Sequence, residues 1–205
     1  MPDFELEDAA ADKVIAGVDE AGRGPWCGPV VAAAVILDRA ALPDELLFGL
    51  DDSKKLKPHR RRQLFAMLPL CARIGVGRAE AAEIDEINIL QAAMLAMKRA
   101  VAGLGVVPDL ALVDGNRAPD LPCPTRPVIG GDAKSLSIAA ASIIAKVTRD
   151  LIMAELAESF PGYGWERNAG YGTAEHQEAL KRLGVTAHHR KSYKPIIKIL
   201  GRDSA

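Results

Sequence analysis

Three places in the chain set carboxylates beside glycine at the end of an apolar run: Asp19-Glu20 ahead of Gly22-Arg23-Gly24, Asp114-Gly115, and Gly131-Asp132. Carboxylates at the tip of a core strand are costly to desolvate. No Lys or His lies in the first run, 14–20, to neutralise them. Hard oxygen ligands suit divalent Mg²⁺ or Mn²⁺, and converging carboxylates are tolerable only with cations between them. Two such ions about 3.5–4 Å apart activate a water and stabilise a leaving oxygen, so no side chain need be a strong base. Arg23, between glycines that let a ligand approach the backbone, is placed to meet phosphate. The chemistry indicated is metal-assisted phosphodiester cleavage.

Each acid also has a plainer reading. Asp114-Gly115 alone is a turn signal, and Asp132 alone could cap the next helix. Adjacent strand residues face opposite ways. Asp19 and Glu20 therefore share a site only if the strand bends near Ala21-Gly22 or Glu20 reaches around. After Asp132, Ser135, Ser142, Lys146 and Arg149 recur at helical spacings, while Ile138, Ala141, Ile144 and Ala145 form a packed side. Those hydroxyls and cations are candidates to hold a phosphate; simple amphipathicity is the alternative. Glu83, Asp85 and Glu86 read as first-turn acids that favour the helix dipole. Cys27 has no base beside it and reads as a packed thiol. His188-His189 lacks Cys or acid partners and reads as surface or nucleic-acid contact.

The elements that must carry these residues follow from periodicity. Residues 14–18 and 30–37 read as strands, the second apolar throughout and hence buried on both faces. Asp51, Asp52 and Ser53 offer caps to a helix over 57–68. A strand over 73–79 precedes a helix over 82–104. Strands over 109–113 and 125–129 lead to a helix over 137–160, broken at Pro161-Gly162. Thr173 caps a helix to residue 183, with a basic tail beyond. The class is α/β: a mixed sheet with helices on its faces. Residues 1–13 form a flexible N-terminal segment, 14–160 the catalytic core, and 161–205 a C-terminal extension.

The 205 residues allow one domain with a full core, and 49 % hydrophobic content marks a globular chain. No apolar stretch is long enough to span a bilayer, and residues 1–13 lack the basic and apolar regions of a secretory signal. Three widely spaced cysteines suggest neither zinc nor disulfides. A cytoplasmic location is expected, with no membrane partner. Net charge is −1, so any polyanion contact rests on local patches. One run is Lys54, Lys55, Lys57, Arg60, Arg61 and Arg62. Another is Lys181, Arg182, Arg190, Lys191, Lys194, Lys198 and Arg202, against Glu178. Each is also readable as solvated helix charge.

Six stretches resemble bacterial ribonuclease HII: 17–25 (Gly-Val-Asp-Glu-Ala-Gly-Arg-Gly-Pro), 52–56 (Asp-Ser-Lys-Lys-Leu), 84–88 (Ile-Asp-Glu-Ile-Asn), 113–115 (Val-Asp-Gly), Gly131-Asp132 with 137–147, and 170–173 (Gly-Tyr-Gly-Thr). They run in family order over about residues 14–195. The resemblance implies a ribonuclease H-like fold, with a five-stranded mixed sheet flanked by helices and a helical C-terminal extension that binds substrate. It implies a Mg²⁺- or Mn²⁺-dependent endonuclease acting on RNA–DNA hybrids and on single ribonucleotides in duplex DNA. Cutting is on the 5′ side, leaving 3′-hydroxyl and 5′-phosphate ends, within ribonucleotide excision repair. By motif, Asp19, Glu20, Asp114 and Asp132 become the catalytic and metal-binding acids. Gly22, Arg23 and Gly24 fall on the loop that contacts the 2′-hydroxyl and phosphate at the RNA-to-DNA junction. Tyr171 falls on the tyrosine that packs on the adjoining sugar, and Lys54 near the substrate. The chain departs from the family at Trp26, Cys27 and Asn168-Ala169. A monomer suffices, with no room for the extra N-terminal domain of type III enzymes. No sliding-clamp peptide is evident at the terminus, and clamp contact stays open. The rival is another nuclease of the same fold, such as a junction resolvase, which would not require the Gly-Arg-Gly loop with Tyr171.

Overall fold

The eight residues Val-Val-Ala-Ala-Ala-Val-Ile-Leu of β2 (Val30–Leu37) have no polar face, so both faces need cover. The computed structural model, which describes residues 1–10 and 14–201, provides it. Val30, Ala32 and Ala34 pack toward α4 (Ala81–Ala102). Ala33 and Val35 pack toward α5 (Leu136–Ser159). β2 pairs antiparallel with β1 (Ile15–Ala21) and β3 (Ala72–Ala79). On the far side of β1, β4 (Leu110–Asp114) and then β5 (Thr125–Val128) add in parallel. The sheet order is β3-β2-β1-β4-β5, the mixed five-stranded sheet expected from sequence.

The remaining helices are α1 (Glu5–Asp8), α2 (Asp44–Leu47), α3 (Pro58–Met67), α6 (Trp165–Asn168), α7 (Ala174–Leu183) and α8 (Lys194–Ile199). α3 packs beside α5. Among the described residues, no helix is long and apolar enough to cross a membrane. The close seating of α5 on β1 depends on Gly17. A Cβ there would stand 2.1 Å from the Ser137 backbone carbon. The C-terminal helices gather around a small aromatic core of Tyr163, Trp165, Leu180 and Ile196 that also takes in Cys27 and Met153.

Three expectations change. The first residues are not a loose tail, because Glu7 is buried and its Oε1 accepts from Ser135 Oγ, Ser137 N and Ser137 Oγ. Residues 11–13 and 202–205, including Arg202, lie outside the described residues. Residues 81–102 are not one continuous helix. Asn88 takes a left-handed φ of 66°, and its Oδ1 caps the resumed helix at the N–H groups of Leu90 and Gln91. Asp51 and Asp52 do not cap α3, whose N-cap is Lys57 without a side-chain bond. Asp51 pairs with Lys55, and Asp52 accepts from the Lys54 N–H. By contrast, Thr173 caps α7 as expected.

Candidate active site

The parallel register of β1 and β4 sets Val18 opposite Val113. The next residue on each strand is an aspartate, so Asp19 and Asp114 stand side by side at the two C-terminal ends. Asp132 arrives from a single 3₁₀ turn, Gly131–Ala133, entered through a left-handed Gly130. That turn is fastened to β4 because the Gly131 N–H donates to Asp114 Oδ1 at 2.7 Å. One oxygen of each of Asp19, Asp114 and Asp132 lies within 4.8 Å of the others.

The electrostatics of this trio call for a cation. Burial pushes the Asp19 carboxyl well above its usual range, and Glu20 and Asp114 push it further. Burial and then Asp114 raise Asp132. Buried Asp19 and Asp132, crowded against the half-buried Asp114, gain nothing from ionising unless something positive joins them. Lys54 leans in from the rim. Burial would lower its pKa, but Asp19, Asp52, Asp132 and Asp114 together hold it above normal. The donor set is all carboxylate oxygen, partly sheltered, with no His or Cys, which fits a hard divalent ion.

Glu20 stands apart from the trio. Its N–H donates to Asp19 Oδ1 at 2.7 Å, and its Oε1 takes Arg23 Nη1 at 3.3 Å. β1 stays extended through Ala21, so neighbouring side chains diverge as strand geometry demands. Both still border the same cleft of about 610 Å³, together with Gly22, Arg23, Gly24, Lys54, Asp114, Lys146 and Tyr171.

The Gly-Arg-Gly loop is held from behind by two buried arginines. Arg190 donates Nη2 to the Gly22 carbonyl at 2.6 Å, Nη1 to the Arg23 carbonyl at 2.9 Å, and Nε to the Gly28 carbonyl at 3.0 Å. The Tyr193 hydroxyl also donates to the Arg23 carbonyl, at 2.6 Å. Arg149 donates to the carbonyls of Pro29, Ala169 and Cys27. Burial draws the Arg149 pKa down to about 10, and Arg190 adds to the effect; burial lowers Arg190 as well. A trans peptide points its C=O and N–H in opposite directions. With the carbonyls of Gly22 and Arg23 drawn toward Arg190, the N–H groups of Arg23 and Gly24 turn away from it.

The second wall is the turn carrying Tyr171, 47 % exposed, whose ring lies near Gly24. The Trp26 N–H donates to the Gly170 carbonyl at 2.8 Å. The Trp26 indole fills the space over Gly172, where a Cβ would be only 2.1 Å away. Asn168 braces the same turn, donating to the Tyr163 carbonyl and accepting from the Gly170 N–H. The unusual Trp26 and Asn168 thus both fix this wall. Beneath it, His176 Nδ1–H donates to the Tyr171 carbonyl at 3.0 Å. His176 Nε2 accepts from Trp165 Nε1 and from His189 Nε2, each at 3.1 Å. His189 Nδ1 accepts from Thr186. The bonding fixes both tautomers as neutral. Burial, with His176 and His188 nearby, lowers the His189 pKa to about 3; burial lowers that of His176.

Several residues singled out from sequence serve other ends. Ser135 is wholly buried, caps α5 through the Ile138 N–H and bonds Glu7, so no phosphate can reach it. Ser142 is also buried. It donates to the Ala139 carbonyl and accepts from the Ser53 N–H, steadying the segment that carries Lys54. Arg149 does border the cleft, but its guanidinium is engaged by the carbonyls of Pro29, Ala169 and Cys27. His189 is interior, while its neighbour His188 is the partly exposed member of the pair. Cys27 is a packed thiol, raised to about 12 chiefly by burial. Lys146 does border the cleft, paired with Asp150 at 2.6 Å. Two contributors were missed. Asp52 lies close enough to Asp132 for its charge to raise Asp132 further. Arg190 looked like one more charge in a basic run, and nothing local marks it as interior.

A family model described as Ribonuclease HII matches residues 16–196. A Ribonuclease HII of Paramagnetospirillum magneticum is 59 % identical over 200 residues, covering 98 % of this chain and 99 % of that protein. The ribonuclease H2 structure from Pyrococcus horikoshii is similar at a TM-score of 0.75 and 29 % identity, over 92 % of this chain and 97 % of that one. The RNase HII solved with PCNA from Archaeoglobus fulgidus gives 0.73 and 28 %, over 88 % and 95 %.

Proposed function

The chain belongs to the ribonuclease HII family, endoribonucleases that act on RNA in RNA–DNA hybrids, and from that premise we propose how its own residues perform the reaction. The substrates in this reading are RNA–DNA hybrids and duplex DNA holding single ribonucleotides. Cutting falls on the 5′ side of the ribonucleotide and leaves 3′-hydroxyl and 5′-phosphate ends. The observation that carries it is the meeting of Asp19, Asp114 and Asp132, with Asp19 and Asp114 lining one cleft with the Gly22-Arg23-Gly24 loop.

Asp19, Asp114 and Asp132 would hold the divalent cation, Mg²⁺ or Mn²⁺, with Glu20 beside them at the rim. Divalent ions held there would supply Lewis-acid polarisation of a phosphate oxygen and a more acidic water. Lys54, kept charged by the acids around it, offsets phosphate charge at the cleft mouth. Arg23, half exposed and only loosely paired with Glu20, meets the phosphate at the junction. The N–H groups of Arg23 and Gly24 read the 2′-hydroxyl, the one feature that separates RNA from DNA at a single position. Tyr171 gives the neighbouring sugar a flat surface that an added hydroxyl would crowd.

A gel assay on matched duplexes tests the reading. Wild-type protein with Mg²⁺ or Mn²⁺ should nick a DNA duplex at its lone ribonucleotide and leave the all-DNA duplex intact. EDTA should abolish nicking. Asp114→Asn should bind the duplex without cutting it. Cleavage of the all-DNA duplex at a comparable rate would overturn the assignment and favour a junction-resolvase-like nuclease.

A further inference from the structure

Arg61 is a cation without adequate compensation. It is 9 % exposed, and its Nε is buried with no acceptor. Its Nη2 donates to the Leu56 carbonyl at 3.2 Å. Its one acidic partner among the described residues, Asp150, stands 3.9 Å from Nη1, beyond hydrogen-bond reach, and already takes Lys146 on its other oxygen at 2.6 Å. One carboxylate therefore serves two cations, and a sheltered positive charge is left over.

That charge faces a second groove, of about 400 Å³, between α3, α5 and α6. Arg61 and Lys146 line both this groove and the catalytic cleft, so the two adjoin. Arg62 borders the groove, is exposed and forms no ion pair among the described residues. Arg167 also borders it but is taken up by Glu166 and Glu175. Counting Asp150 and Glu166 against the cations, the groove keeps the excess positive charge of Arg61 and Arg62.

We propose that this groove is a second phosphate subsite, in which Arg61 and Arg62 hold a backbone phosphodiester of the substrate duplex away from the point of cleavage. The proposal rests on the nuclease reading above and deepens it. The groove is basic, and its one aromatic, Trp165, is buried, so with no row of rings on which bases could stack it suits backbone contact without sequence preference. It lies against the same helix, α5, that floors the cleft. A duplex seated at the acids therefore passes over it, provided the duplex is long enough.

The test uses full-length protein carrying Asp114→Asn, so that binding is measured without cleavage. Duplexes with one ribonucleotide are lengthened a few base pairs at a time, on one side and then the other. The parent should gain affinity in a step once the duplex reaches the groove. Arg62→Gln should lose that step, and its slope of log Kd against log salt should fall by about 1. Arg61→Gln should behave alike, and Arg61→Lys should retain part of the step. Arg62 is exposed, so its variant stays informative if the Arg61 variants fold poorly. Equal steps and equal slopes in parent and Arg62→Gln would overturn the proposal. So would a groove that binds inorganic phosphate, seen as a melting-temperature rise lost in Arg62→Gln, with no length step on any duplex. Wild-type nicking of the same duplexes is scored alongside. Its absence would count against the nuclease reading, while nicking without a length step counts only against the subsite.

Discussion

Arg190 Nη1 donates to the carbonyl of Arg23 at 2.9 Å across 167 residues of chain. A cation at the C-terminal end thereby sets the backbone of a loop near the N-terminus. Among the described residues Arg190 has no carboxylate hydrogen-bond partner; its acceptors are three carbonyls and the Tyr193 hydroxyl. Arg190→Met should leave those acceptors unsatisfied and cost on the order of 3 kcal/mol. At about 2–4 °C per kcal/mol for a chain of this size, the loss is visible in a melting curve. Discrimination between ribonucleotide and all-DNA duplexes should fall as well. Arg190→Lys should not restore either property, because an ammonium cannot fork to separate carbonyls.

Tyr171 lies on the opposite wall, largely free of packing demands. Tyr171→Ala should reduce cutting at a lone ribonucleotide by about tenfold, equivalent to about 1.4 kcal/mol, with a smaller loss on long hybrids. Tyr171→Phe should keep most activity, since the ring supplies the surface. Equal losses on both substrates for Tyr171→Ala would remove its role as junction reader.

The raised acids of the cleft predict a pH-dependent metal effect. Asp19, Glu20 and Asp132 have folded pKa values raised above their ordinary ones. A raised carboxylate contributes stability below its unfolded pKa and loses that contribution as pH rises through its folded pKa. Metal-free protein should therefore suffer most from this cluster at neutral and alkaline pH. Mn²⁺ should raise the melting temperature more at pH 8 than at pH 5. Asp132→Asn should raise the metal-free melting temperature at pH 8, by about 2–4 °C for a gain on the order of 1 kcal/mol. A uniform metal effect across that range would contradict the placement of the ion.

The histidine pair acts in the opposite direction. Both are buried neutral, with His189 held down to about 3. Below the ordinary histidine pKa of about 6.5, the unfolded chain binds protons that the folded one refuses, so stability falls as pH drops from about 6.5 toward 3. Trp165 donates to His176, so its fluorescence should report early loosening of the C-terminal helices between pH 6 and 4. His189→Asn should start less stable but show a shallower decline. Parallel pH slopes in both proteins would rule the pair out as its source.

Much of this molecule is written locally. The alternation and runs that make β1 to β5, the Ser135 and Thr173 caps, and the turn after Asp114 all depend on residues within a few positions of each other. Short-range sterics and hydrogen bonding decide them, and sequence displays them. The six motifs likewise marked out Asp19, Asp114, Asp132, the Gly-Arg-Gly loop and Tyr171 before any coordinates. Three-dimensional pairing decided the rest. The β1–β4 register brought Asp19 level with Asp114, and the pleat turned Glu20 aside from the trio. Ser135 and Ser142 lie on the very helix face that looked ready for phosphate, yet Glu7 and Ser53 from distant segments cover them. Arg149, Arg190 and His189 resemble surface charge in the sequence. Burial of a polar group turns on which acceptors meet it in space, and those acceptors lie far away along the chain, where no local pattern records them.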